Sequence, residues 1–103
     1  MIKLSVFYPA GAGSRFDVDY YCNHHMPLVQ KTFGAICKGV AVDFGLAGRA
    51  SGAPPTYVAI GHVYFDSVEE FETGFARHRE TFRADMPNYT DIRPLMQISE
   101  VKI

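Results

Sequence analysis

Apolar and polar residues alternate from Ile2 to Tyr8, with Ile2, Leu4, Val6 and Tyr8 on one parity, and Pro9-Ala10-Gly11-Ala12-Gly13 ends the run. A period of two predicts a strand with one buried face. From Asp17 the period becomes helical: Val18, Tyr21, Cys22, His25, Leu28 and Val29 gather on one side of a wheel turning about 100° per residue. Asp17 is placed to cap this helix, Asp19 to complement its positive end, and Phe16 and Tyr21 to form a hydrophobic staple. The pattern fades near Gly34. Residues 37–46 hold Val40, Val42 and Phe44 between Gly39 and Gly45, a weaker strand whose glycines predict a bend or bulge. Residues 48–55 form the clearest loop, and residues 56–65 the strongest strand, apolar on both parities. Ser67 with Glu70 has the form of a capping box. It opens a second helix that carries Val68, Phe71, Phe75 and Phe82 at helical spacing and ends near Met86-Pro87-Asn88. A last strand is expected over residues 95–103.

The order strand, helix, strand, strand, helix, strand is that of an α+β, ferredoxin-like βαββαβ sandwich: a four-stranded antiparallel sheet with two helices on one face. Two helices cover only one side of such a sheet. Because the third strand is apolar on both parities, a second copy of the chain is the economical cover for the other side, so a homodimer is expected. The 103 residues suit one domain spanning 1–103, and 48% hydrophobic with 20% charged residues is an ordinary globular composition. A net charge of −1 with scattered basic residues argues against nucleic acid as a partner. The apolar runs fall far short of the roughly 20 residues that cross a bilayer, and the N-terminal stretch reads as a strand, so neither a membrane nor a signal peptide is expected. Cys22 and Cys37 form no CxxC pair and have no metal-ligand spacing, which points to a reducing cytoplasm and no metal.

His25 lies near the centre of the first helix's apolar stripe, whereas His24 falls outside it. Adjacent histidines do not share a helical face, so the pair is unlike the i, i+4 spacing of metal sites. Pro27 removes a backbone donor within the same helix and predicts a kink or a helix end that leaves polar groups beside His25. A histidine so placed is either a packed core residue satisfied by one hydrogen bond or a titratable group in a pocket. His78 shares the stripe of Val68, Phe71, Phe75 and Phe82 and is expected to point inward or to the core boundary, while His62 belongs to the third strand. Asp85-Met86-Pro87-Asn88-Tyr89-Thr90-Asp91 brings two carboxylates and a phenol into one turn. Asp85 either orients a histidine or ends the helix, and its distance from His25 separates these readings. Gly11-Ala12-Gly13-Ser14 lacks the remaining residues of a phosphate-binding fingerprint and reads as a connection.

The chain resembles the EthD family, named for ethyl tert-butyl ether degradation and part of the dimeric α/β-barrel superfamily. The resemblance is carried by Ile2-Lys3-Leu4-Ser5-Val6-Phe7-Tyr8, by Phe16-Asp17 leading through Tyr20-Tyr21 to His25-Met26-Pro27-Leu28-Val29, by Phe65-Asp66-Ser67, and by Asp85-Met86-Pro87-Asn88-Tyr89-Thr90 with Gln97-Ile98. It implies a dimer that joins two sheets into a barrel, with a small-molecule pocket between each sheet and its helices. On the matching positions His25 is the expected general acid/base and Asp85 its orienting partner. Tyr21, His78 and Tyr89 are candidate substrate-binding residues, although His24 and His78 lie outside the family pattern. Superfamily relatives include lactone isomerases, polyketide cyclases, decarboxylases, cofactor-free monooxygenases and haem-degrading enzymes, so the fold selects no single reaction. The leading expectation is an enzyme without cofactor acting on a hydrophobic, oxygen-bearing small molecule. The alternatives are a non-catalytic accessory protein that binds such a ligand and, by superfamily analogy, haem binding through a histidine.

Overall fold

The computed structural model describes residues 1–103. Strands β1 (Ile2–Pro9), β2 (Gly39–Phe44), β3 (Tyr57–Phe65) and β4 (Leu95–Glu100) form one antiparallel sheet in the order β2-β3-β1-β4. Between β1 and β2 the chain runs through α1 (Val18–Tyr20), a π-helical turn (Tyr21–His25), α2 (Met26–Phe33) and a 3₁₀ turn (Gly34–Ile36). Helix α3 (Val68–Asp85) and a second 3₁₀ turn (Met86–Asn88) connect β3 to β4. This is the α+β ferredoxin-like arrangement that the hydrophobic pattern predicts.

Local chemistry explains the helix starts. Asp17 accepts from the Tyr20 amide at 3.0 Å, and the Phe16 and Tyr21 rings meet at 5.1 Å, completing both cap and staple. Ser67 accepts from the Glu70 amide at 3.1 Å, which is the first half of the capping box. Pro27 neither ends nor visibly breaks its helix. The disturbance falls one turn earlier, where the Met26 amide bonds to the Tyr21 carbonyl across the wider π spacing and Pro27 enters the first turn of α2.

Two strand expectations are corrected. The register of β2 on β3 runs unbroken from Gly39↔Tyr64 to Phe44↔Ala59, and the irregularity lies between Tyr8 and Pro9 of β1, where proline has no ladder donor to offer. The last strand is also shorter than residues 95–103, because its pairing with β1 stops at Ile2↔Glu100, where β1 itself begins.

Alternation divides the sheet. Leu4, Tyr8, Ala59, Val63 and Phe65 face the helices and are buried against Val29, Phe33, Phe71 and Phe82. Lys3, Ser5, Phe7, Ile60, His62 and Tyr64 lie on the face that carries no helix. No helix of the chain is long and apolar enough to cross a membrane.

Phe65 is fully buried, with the rings of Phe33 and Phe71 at 4.9 and 5.3 Å. Phe65→Ala is expected to destabilise the fold by about 3–5 kcal/mol in urea unfolding, through lost burial and the cavity left behind. Val68→Ala at an exposed position is expected to change stability by about 0.5 kcal/mol or less.

Candidate functional site

The π turn determines where His25 points. Its extra residue returns the helix so that the His25 ring stacks on Tyr21 at 5.5 Å and 15°, and both side chains are buried. Where α3 ends, the 3₁₀ turn folds Asn88 back on Asp85 and sends Tyr89 inward. That segment is tied to the start of the first helix: the Asp17 amide donates to the Tyr89 carbonyl at 2.7 Å, and Thr90 Oγ1 donates to the Arg15 carbonyl at 2.7 Å. The two ends of the helical layer thereby meet over β1.

At this junction His25 Nδ1 lies 2.9 Å from Asp85 Oδ2. The other carboxylate oxygen, Oδ1, accepts from the Tyr20 hydroxyl at 2.7 Å and from Asn88 Nδ2 at 2.9 Å. His25 Nε2 faces the Tyr89 hydroxyl at 3.5 Å, and that hydroxyl is 2.8 Å from the hydroxyl of Tyr8. A separation of 2.8 Å is a full hydrogen bond, whereas 3.5 Å is at the outer limit for O–H···N. Nε2 is therefore the least committed polar atom of the set.

Burial lowers the His25 pKa and outweighs the opposing pull of Asp85, so the imidazole is neutral near pH 7. Burial alone would raise the Asp85 carboxyl, but hydrogen bonds from Tyr20, Asn88 and His25 together bring it below its ordinary value. An ionised carboxylate only accepts, which assigns the imidazole proton to Nδ1 and a lone pair to Nε2. Burial raises the phenols of Tyr8, Tyr21 and Tyr89 well above their ordinary range, so all three keep their protons.

Beside these groups is a cavity of about 60 Å³ between sheet and helices, walled by apolar side chains that include Leu4, Val6, Val29 and Val63. At roughly 15 Å³ per water-sized sphere it admits about four such groups. Met26, Met86 and Met96 also line it, and unbranched thioethers can repack around a larger guest. Gly61 forms part of the floor, and a Cβ there would overlap the Tyr21 hydroxyl.

Of the residues singled out in the sequence, His25, Asp85, Tyr21 and Tyr89 come together. His78 does not join them. It lines a separate open groove with Phe33, Ile36, Ser67, Gly74 and Arg77, because the stripe of α3 is shared between two neighbours. Phe75 and Phe82 line the cavity, whereas Gly74 packs on Phe33 and Ile36 at the end of α2 and His78 lines the groove beside them. His24 is exposed and lies against the Tyr20 ring at 4.9 Å. His62 lies on the helix-free face, held by Ser5 Oγ at 2.9 Å and Asp43 Oδ2 at 3.0 Å. Tyr8, Tyr20, Asn88 and Gly61 complete the site, although none of them is a candidate site residue from the sequence. Tyr8 alone carried a signal, as the one hydroxyl on the inward parity of β1.

The four-stranded antiparallel sheet with its helices defines an α+β, ferredoxin-like protein, here with a buried His25 paired to a partly buried Asp85. The model of the EthD domain matches residues 11–93, and the chain belongs to the EthD family. An EthD-like protein from Ralstonia eutropha JMP134 is 47% identical, with a TM-score of 0.96 over 99% of this chain and 92% of that one. An ethyl tert-butyl ether degradation (EthD) family protein from Bacillus halodurans C-125 has the same fold at 18% identity, with a TM-score of 0.72 over 99% of each chain. The protein At3g17210 from Arabidopsis thaliana shares it at 12% identity, with a TM-score of 0.69 over 100% of this chain and 97% of that one. No match is found among curated proteins.

The electrostatics of His25 lead to a pH dependence with a definite sign. The unfolded chain takes up a proton on His25 near pH 6.5, and the folded chain does so only at lower pH. Between those points the unfolded state holds more protons, so stability falls as pH falls below about 6.5. Asp85 adds a loss in the same direction below its ordinary value of 3.8. Urea unfolding between pH 7 and pH 5 is expected to follow this slope, and His25→Asn to flatten it. NMR titration of the imidazole checks the lowered midpoint directly.

Proposed function

We propose that this protein is a cofactor-independent enzyme that transfers protons to and from a hydrophobic, oxygen-bearing small molecule. His25 is its acid/base and Asp85 its orienting partner. The observation that carries this reading is the 2.9 Å pairing of His25 Nδ1 with an Asp85 carboxylate fixed by two further donors, which leaves the Nε2 lone pair beside an apolar cavity. A neutral imidazole accepts a proton at Nε2 and returns it, and the carboxylate stabilises the imidazolium formed between those steps. Apolar walls select a hydrophobic guest, and the hydroxyl of Tyr89 beside Nε2 supplies the partner for an oxygen.

The working form we propose is a homodimer in a reducing cytoplasm. Support for the dimer comes from the sheet. One face carries no helix, and edge strand β4 exposes Leu95, Met96 and Ile98, more apolar surface than a lone edge strand normally presents to water. Cys22 and Cys37 are both free thiols, which suits a reducing compartment.

Native mass spectrometry of the purified protein is expected to identify a bound small molecule, and His25→Asn to slow turnover of that compound by roughly 10²–10⁴-fold with the fold intact. Unchanged turnover in His25→Asn would remove His25 from the mechanism. Sedimentation at micromolar concentration is expected to give twice the mass of the chain, and a monomer there would exclude the dimer.

A further inference from the structure

The polar atoms around the cavity have an order that hydrogen-bond bookkeeping resolves. Nε2 of His25 carries no proton, so the contact at 3.5 Å is made by the Tyr89 hydroxyl donating toward it. The Tyr89 oxygen must then accept from Tyr8 at 2.8 Å. Tyr8 is fixed by rings on three sides, with Phe16, Tyr21 and Tyr89 at 5.0, 5.5 and 6.0 Å, and Tyr21 keeps its place because Gly61 has no Cβ. A base backed by a carboxylate thus stands beside an acid backed by a second phenol, across a gap too long for a strong bond between them. A substrate lying alongside the pair, with neighbouring atoms against Nε2 and the hydroxyl, reaches both.

We propose, resting on the acid/base reading of His25, that the substrate is a small apolar ketone with an acidic C–H next to its carbonyl, and that the site converts it to its enol. His25 Nε2 takes the proton from the carbon. The C–H electron pair forms a C=C bond, and the C=O π pair moves to oxygen, which takes the Tyr89 proton. The Tyr89 phenolate, held by the hydrogen bond from Tyr8, then recovers a proton from His25 Nε2–H. Nothing is oxidised or reduced, and no second reactant is consumed. The arrangement suits this step because it presents acid and base on one side of a pocket whose other walls are apolar, and because a cavity of about 60 Å³ takes a compound of a few heavy atoms. Tyr89 is then a catalytic residue, and Tyr8 and Gly61 are positioning residues.

The probe is butan-2-one in D₂O, with loss of its α-proton signals followed by NMR. Exchange is expected to be faster with the wild-type protein than with His25→Asn. Tyr89→Phe, which keeps the ring and removes only the donor, is expected to slow it roughly a hundredfold. Tyr8→Phe is expected to slow it less and to shift the pH profile, because Tyr89 loses the donor that stabilises its phenolate. Equal rates in wild type and Tyr89→Phe would overturn the assignment of Tyr89. Butan-2-one that shifts the His25 ring resonances without any exchange would overturn the enolisation and leave the small-molecule pocket standing. Neither shift nor exchange would count against both.

Discussion

Asp85 occupies a position that helix electrostatics disfavour. It is the last residue of α3, where the carbonyl ends of the helix concentrate negative charge and a carboxylate is worth about 0.3–1 kcal/mol less than a neutral group. Three donors from different parts of the chain hold it there: Tyr20 before the π turn, His25 within it, and Asn88 after α3. Each donor alone would leave the carboxyl half satisfied and partly desolvated. Together they bring its pKa down despite burial, so the charge is kept. Much of the rest follows from this contact. It fixes where the first helix turns and where α3 ends relative to it, and it determines which nitrogen of His25 faces the cavity.

The same contact explains why the π turn is tolerated. A regular helix from Asp17 onward would satisfy the backbone better, and Pro27 would still remove one donor. Placing the irregularity before Pro27 turns His25 onto the buried side of Tyr21 while leaving Tyr20 beside Asp85. Two consecutive tyrosines thereby serve opposite ends of one hydrogen-bond chain. Tyr20 donates to the carboxylate, and Tyr21 packs against Tyr8 at the phenol end.

Strand and helix positions were legible in the residues because each rests on local signals: alternation in β1, the Asp17 and Ser67 caps, and the glycine- and proline-rich loop before β3. The approach of His25 to Asp85 was legible only as a question, since sixty residues separate them and spacing says nothing about how far α3 carries its last residue toward the first helix. The resemblance supplied the pair that periodicity could not. Tyr20 and Asn88 stand within the motifs of the resemblance but with no role attached, because a donor to a partly buried carboxylate has no sequence signature of its own. Gly61 has no signal in the residues around it, because what requires a glycine there is the Tyr21 hydroxyl, which comes from another element. His78 misled for a related reason: a wheel gives the direction of a side chain but not which of two neighbours it meets.

Register is what keeps the two faces of the sheet apart. On β1, Leu4, Val6 and Tyr8 serve the cavity, while Ser5 and Phe7 serve the opposite face, where Ser5 holds His62 and Phe7 packs on Tyr57 at 5.1 Å. A slip of one residue between β1 and β3 would bring Ser5 toward the helices and carry Tyr8 away from Tyr89. The alternation is thus under two demands at once, since the face that builds the cavity is fixed by the same ladder that sets the helix-free face. The Tyr8/Pro9 irregularity lies at the end of that ladder, just past the last cavity residue, where loss of pairing disturbs neither face. In a chain this small, the sheet register places Tyr8 beside Tyr89 and His25 as directly as the helices do.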